Sequence, residues 1–387
     1  MHNKIICQQI FHKDSDKLID TFKEVGSQVL NKQLQIEQIK STSVFPDIVT
    51  IKDKNILYWD IQYFEFFDRF LTELVALLEN RAYQPQFIEQ VSGIFYDFLS
   101  LKLIHIPELA YCIQVNRQRR FPAKKSEITV SKAKYHRYLD GTYRSIIVQT
   151  RHLVFNHELF HLYYKDNPNT KLDDMSRLKK LANYYMEHDL TARKVEGTPI
   201  SFVEEGFQKL IDSKYTKLFE EASCDYRALI ETIALYRGIS EIDTVELIKQ
   251  IHDAFHINQT FLSYLTNIFV CWQTLYKSYL AVDSYDELLP YCKQTLDTAV
   301  ETAVIRNSII PDFLDSLNIL KYEINSYNSV LNDVFIKETI HHVADNMVDL
   351  NFMLYAIEES IKLSNQPNFN PFELKNIILG NIFYLQQ

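Results

Sequence analysis

The segment NHELFHLYY, residues 156–164, carries two histidines and a glutamate, at His157, Glu158 and His161. Residues four apart on an α-helix project from the same face, one turn from each other. His157 and His161 can therefore bind one metal ion through their imidazole nitrogens. Glu158 lies about 100° further round the helix, where its carboxylate can reach a water at the metal without being a ligand. The segment predicts a metal-binding helix, provided that a third ligand lies elsewhere in the chain.

A third ligand is needed because catalytic zinc normally has three protein ligands and keeps one position for water. The segment LFEEASCDYRAL, residues 218–229, offers Glu221 and Asp225, four apart on a predicted helix. In this arrangement Glu221 can complete the metal site, and Asp225 can accept the Nδ1–H of a ligating histidine and so fix its tautomer. Taken alone, two acids at this spacing are more typical of a solvated helix face. The presence of both motifs, in this order, favours the metal site.

The two motifs together resemble those of the gluzincin branch of the zinc metallopeptidases, in which HExxH is followed by ExxxD on a later helix. The chain has HELFH at residues 157–161 and EASCD at residues 221–225. The resemblance covers about residues 126–235 and implies a bound Zn²⁺ and a base that activates water. The residues that it places in these roles are His157, His161 and Glu221 as zinc ligands, Glu158 as the base, and Asp225 as the support of His157.

The resemblance also implies that the chain hydrolyses peptide bonds, with a peptide or protein substrate held against an edge strand beside the metal helix. The segment TYRSIIVQ, residues 142–149, is predicted as that strand, although it fits an ordinary core strand equally well. Spacing selects no residue to stabilise the oxyanion. The main alternative is a helical interaction protein with a structural or vestigial zinc site. The downstream candidates for the oxyanion are Tyr226, Arg227, His252 and His256.

The composition predicts a mostly helical fold. Only 7 Gly and 10 Pro occur among 387 residues, and 47% of the residues are hydrophobic. Such a chain is expected to fold, and to favour long helices over many tight turns. Strand-like runs are found at residues 47–60, 110–115, 126–132 and 142–149. We therefore predict an α+β fold, in which a mostly α-helical chain has a small zincin-like sheet before the metal-binding helix.

The length of 387 residues exceeds the usual size of a single core, so more than one packed unit is expected. We predict an N-terminal helical segment at residues 1–40, a zincin-like catalytic domain at 41–238 and a helical C-terminal region at 239–387. Apolar residues recur at helical spacing in the C-terminal region, and these helices could bind a protein partner.

Charge and cysteine usage point to a cytoplasmic protein without a membrane span. The first residues lack the apolar run of a signal peptide, and the five cysteines are scattered without a CxxC pair. The longest uncharged stretch, residues 254–276, carries too many polar side chains for a membrane helix. A net charge of −9 makes nucleic acid an unlikely partner. The basic run RQRRFPAKK at residues 117–125 is predicted as a solvated loop rather than a phosphate-binding loop.

Overall fold

The computed structural model describes residues 17–79, 84–102, 110, 144–188 and 216–239, and residues 247–265 except 249, 256, 260, 263 and 264. The elements in these ranges are α1 (residues 17–30), β1 (Leu34–Ile39), β2 (Asp47–Ile51), β3 (Lys54–Asp60), α2 (Ile61–Glu79), α3 (Gln84–Lys102), α4 (Arg144–Asp166), α5 (Pro168–His188) and α6 (Thr216–Ile239), followed by helical residues between 247 and 265. The described chain is thus mostly helical with one small sheet, which agrees with the predicted α+β class. The zincin-like character of the sheet stays a prediction.

The sheet has three strands in the order β1-β3-β2, and it is mixed. Strand β1 runs parallel to β3, with Leu34 opposite Asn55, and β2 runs antiparallel to β3. The turn between β2 and β3 consists of Lys52 and Asp53, whose φ angles of 47° and 64° are both left-handed. Two residues with positive φ are what a tight type I′ hairpin requires, because this turn matches the twist of its strands. The two strands predicted within residues 47–60 are confirmed.

Helix α2 buries one face against the core, as its apolar spacing predicts. Phe64, Phe67, Leu71 and Leu74 are all at most 3% exposed and recur at intervals of three or four residues. Helix α3 packs beside α2 and also buries a run of aromatic and aliphatic side chains. The two helices that follow the sheet therefore form, with it, one side of the hydrophobic core.

Helix α1 approaches β1 and α4 very closely at Gly26. A Cβ atom added at Gly26 would clash with the side chain of Leu34 and would lie 3.2 Å from Phe155 Cζ. One turn earlier, the ring of Phe22 stacks on that of Phe155 with 4.1 Å between centroids. This contact fixes α4, the helix of the HELFH motif, against the N-terminal part of the chain.

The strand predicted at residues 142–149 is wrong where the structure describes it, because Arg144 begins α4 and the helix continues without a break to Asp166. Of the β-branched residues that suggested a strand, Ile146 and Ile147 are each 5% exposed and Val148 is 37% exposed, while the buried Leu153 lies two turns after Ile146. Burial of this face outweighs the weak strand propensity of the segment. The strand predicted at 110–115 is described only at Ala110, which is helical, and the strand predicted at 126–132 lies outside the described residues.

The prediction of a helical segment at residues 1–40 is wrong at Leu34–Ile39, which form β1. The boundary predicted at residue 40 falls between strands of one sheet, since β1 pairs with β3 beyond it. The division into three domains itself stays a prediction. Among the described helices, none combines the length and the apolar character that a membrane crossing needs.

Candidate metal centre

Helices α4 and α6 pack side by side and bring together residues that are far apart in the sequence. The face of α6 that approaches the site is made of small side chains, and Ala222, Ser223 and Cys224 are at most 2% exposed. Cys224 packs against Phe160 and Tyr164 of α4. Small residues let two helix backbones approach closely, so longer side chains on either side of the contact can meet.

His157, His161 and Glu221 meet at this contact, and their ligand atoms all lie within 4.8 Å of one another. The two Nε2 atoms are 3.2 Å apart, and His157 Nε2 lies 3.3 Å from Glu221 Oε2. The distance from His161 Nε2 to Glu221 Oε1 is 3.9 Å. A tetrahedral centre with bonds of 2.0–2.1 Å has ligand–ligand distances of about 3.3–3.4 Å. Two of the three separations are close to this value, so the group can hold a metal ion.

Asp225 supports His157 from the side opposite to the ligand group. Its Oδ1 lies 2.8 Å from His157 Nδ1, and its side chain is only 2% exposed. Gln259, a helical residue of the 247–265 segment, donates from Nε2 to the same oxygen at 3.1 Å. A carboxylate held in this way fixes the tautomer of the imidazole so that Nε2 faces the metal position.

The acids around His157 raise its pKa. Burial disfavours the imidazolium, but the charge and hydrogen bond of Asp225, together with Glu221 and Glu158, outweigh it and raise the pKa of His157 to about 10. Burial and the charge of His157 lower the pKa of His161, against the opposing effect of Glu221 and Glu220. In the absence of metal, His157 is therefore a protonated imidazolium at neutral pH, whereas His161 is neutral.

His161 Nδ1 faces two groups of α6 at equal distance. Cys224 Sγ and Glu220 Oε1 both lie 3.6 Å from this nitrogen. Lys171 of α5 donates to the other oxygen of Glu220 at 2.6 Å. Burial raises the pKa of the Cys224 thiol well above its ordinary value, with neighbouring carboxylates adding to the effect. Cys224 thus remains a thiol beside the site.

Glu158 is half-buried next to the ligand group, close enough for its charge to raise the pKa of His157. The described residues do not identify an oxyanion stabiliser among the four downstream candidates, which are Tyr226, Arg227, His252 and His256. Arg227 is engaged with Asp174, while Tyr226 is buried at 2% exposure and interacts with Arg177. His252 is 1% exposed, and His256 lies outside the described residues.

The sequence patterns do not point to Asp174, which is 0% exposed and contacts residues of both helices that carry the ligand group. Tyr164 donates its hydroxyl to Asp174 Oδ2 at 2.8 Å, and Arg227 donates to both Asp174 oxygens at 2.6 and 2.9 Å. Burial and the Asp174 carboxylate raise the pKa of Tyr164, so its hydroxyl stays a donor. Asp174 lies in a polar stretch of the sequence. In such a stretch, no sequence pattern distinguishes an acid that is buried from one that is exposed to solvent, so the burial of Asp174 could not be predicted.

The described residues define an α+β protein with a candidate metal centre of two histidines and one glutamate between two helices. The chain matches no family model, no curated protein and no solved structure.

Proposed function

We propose that the chain is a zinc-dependent metallopeptidase of the gluzincin type. The observation that carries the proposal is the convergence of His157, His161 and Glu221, with Asp225 placed against His157 Nδ1. These are the ligand and support roles that the HExxH and ExxxD motifs imply. Two imidazole nitrogens and one carboxylate oxygen are a donor set that suits zinc, whereas Mg²⁺ and Ca²⁺ prefer oxygen ligands throughout.

Zinc held by His157, His161 and Glu221 would supply Lewis-acid chemistry, which would make water more acidic and polarise the carbonyl of the scissile bond. Glu158 accepts a proton from the attacking water and later delivers it to the leaving amine. Asp225 keeps the Nδ1 proton of His157 in place, so that Nε2 remains available as a ligand. Glu158 and Glu221 thus have separate roles. The Glu221 carboxylate lies within 4.8 Å of the ligand atoms of both histidines, whereas Glu158 is not part of this group.

We propose β2 as the strand that holds the peptide substrate, in place of the segment at residues 142–149. It is an antiparallel strand at one edge of the described sheet, and it packs against α4, the helix of both histidines. An extended peptide can add to such an edge through backbone hydrogen bonds, which give affinity with little dependence on sequence.

Glu158→Gln tests the proposal, because a metal-stabilised scaffold has no need of a carboxylate at this position. The amide keeps the size of the side chain but cannot accept the proton of water. We expect unchanged zinc content and melting temperature, with peptide hydrolysis lowered by about 10²–10⁴-fold. The matched control is Glu231→Gln, which alters an exposed glutamate of α6 and should hydrolyse peptides like the parent.

Two results would contradict the proposal. Equal hydrolysis by Glu158→Gln and the parent would assign the activity to another mechanism. A zinc-loaded parent that cleaves nothing in a broad peptide library would favour the alternative of a helical interaction protein with a structural zinc site.

A further inference from the structure

Helix α5 contributes no residue to the ligand group, yet it contacts both helices that do. Only Asn167 separates the end of α4 from Pro168, the first residue of α5. Proline suits the first helical position because its fixed φ is already helical and no amide hydrogen is needed there. The short connection fixes where α5 begins relative to the last turn of α4.

Asp174 joins three helices through one buried carboxylate. It belongs to α5, accepts the hydroxyl of Tyr164 from α4, and accepts two hydrogen bonds from the guanidinium of Arg227 in α6. Tyr164 lies one turn after the ligand His161, and its hydroxyl is also 3.2 Å from the backbone oxygen of Ser223. A two-point Arg–carboxylate contact fixes orientation as well as distance.

The contacts with α5 lie on a stripe of α6 next to the one that carries the metal ligand. Glu220 and Arg227 are seven residues apart, or about two turns, and they bind Lys171 and Asp174 of α5. Glu221 and Asp225 occupy the stripe about 100° further round the helix. Because side-chain tips lie about 5–6 Å from the helix axis, a rotation of α6 by about 10° would move the Glu221 carboxylate by about 1 Å.

We propose that Asp174 is a positioning residue of the metal centre, which sets the rotation of α6 and thereby the distance from Glu221 to the two histidines. This inference rests on the metal-binding part of the proposed function and is independent of peptide hydrolysis. Lys171, one turn earlier on α5, holds the same side of α6 through Glu220.

The test compares Asp174→Asn with Asp68→Asn. Asp68 is also a largely buried carboxylate that binds an arginine, and it joins α2 to α4 through Arg151, six residues before His157. Zinc affinity is measured by competition with a chromophoric chelator, ligand geometry by the absorption spectrum of the Co²⁺ form, and stability by thermal unfolding without metal. We expect Asp174→Asn to weaken zinc binding at least about tenfold and to alter the Co²⁺ spectrum. Asp68→Asn should lower the melting temperature while keeping affinity and spectrum.

Tyr164→Phe keeps the buried ring and removes only the hydroxyl. This variant tests the inference even if Asp174→Asn does not fold. It should weaken zinc binding in the same direction by a smaller factor. Parental zinc affinity in Tyr164→Phe would overturn the inference, as would an equal loss of affinity in Asp68→Asn. A parent that binds zinc but cleaves no peptide would contradict the proposed reaction and leave the inference standing. A parent without zinc affinity would overturn both.

Discussion

Glu220 and Glu221 are adjacent in sequence but have different partners. The carboxylate of Glu221 faces His157 Nε2, whereas Glu220 is bound by Lys171 and reaches only Nδ1 of His161. We expect Glu221→Ala to lose most of the bound zinc, as His157→Ala and His161→Ala should, while Glu220→Ala retains it at saturating metal. Metal analysis after dialysis measures the difference. Retention by Glu221→Ala together with loss in Glu220→Ala would mean that α6 has a different rotation.

The raised pKa of His157 predicts that zinc binding depends on pH. Zinc needs the neutral imidazole, so it must displace the Nε2 proton of His157, while Asp225 keeps the proton on Nδ1. Because the pKa of His157 is about 10, we expect the affinity to rise about tenfold per pH unit between about pH 7 and 9, with one proton released. Titration calorimetry in buffers of different ionisation enthalpy measures this release. An affinity that is constant across this range would show that His157 is already neutral.

The raised pKa of His157 also makes the stability of the metal-free fold depend on pH, but this stability falls as the pH rises. A folded-state pKa above the ordinary value of 6.5 means that protonated His157 stabilises the fold fully below pH 6.5. This contribution is lost as the pH rises toward about 10. Zinc bound as proposed would replace this contribution, since the metal would neutralise the same acids.

At the scale of residues, helical spacing predicts which side chains share a helix face but not what surrounds them, and the structure brings His157, His161 and Glu221 together. His157 and His161, like Glu221 and Asp225, are four apart, so their shared faces follow from helix geometry alone. Asp174 and Gln259 contact these motifs only because of the way in which the helices pack. Such contacts join positions that no local pattern relates.

At the scale of elements, α4 shows where sequence patterns fail. Its first two turns contain Ile146, Ile147 and Val148, which favour a strand locally, but the burial of the whole helix face decides the outcome. The segment 47–60 was easier to predict, because alternation and a two-residue turn are both local features.

The register of the β2–β3 hairpin gives a sharp test of β2 as the substrate edge. Ile51 and Lys54 flank the turn and form a hydrogen-bonded pair. Non-hydrogen-bonded and hydrogen-bonded pairs alternate from there along the hairpin, so the amides of Ile48 and Thr50 point away from β3. We expect a peptide-like inhibitor to slow hydrogen exchange at Ile48 and Thr50. Val49, whose amide faces β3, serves as the internal control and should change little. Slow exchange at Ile48 and Thr50 without ligand would exclude this edge.

At the scale of the whole molecule, the contact at Gly26 ties the N-terminal helix to the helix of the metal motif. Alanine in place of glycine normally stabilises a helix by about 1 kcal/mol. Here the added methyl meets Leu34 and Phe155, so we expect Gly26→Ala to destabilise the fold by about 1–3 kcal/mol. Glu24→Ala on the exposed face of α1 is the control, with a change within about 0.5 kcal/mol. Chemical denaturation measures both, and a more stable Gly26→Ala would show that α1 can move away.

The joining of α1 and β1 to the rest of the core was not predictable from composition. The boundary placed at residue 40 followed a change from helical to strand-like patterns in the sequence, but the change of element lies earlier, because β1 already begins at Leu34. It carries no information on which elements pair, and β1 pairs with β3 across it.

The separation of the two motifs along the chain has a consequence for the order of folding. The β2–β3 hairpin needs only a two-residue turn, and hairpins form within about 1–10 μs, whereas Glu221 must close a loop of 60 residues to reach His161. During synthesis, both histidines of α4 leave the ribosome well before the glutamate does. With the proposed zinc site, a nascent chain would bind the metal only weakly through the two histidines. Tight binding would require the docking of α6, so metal binding would indicate that the fold is complete.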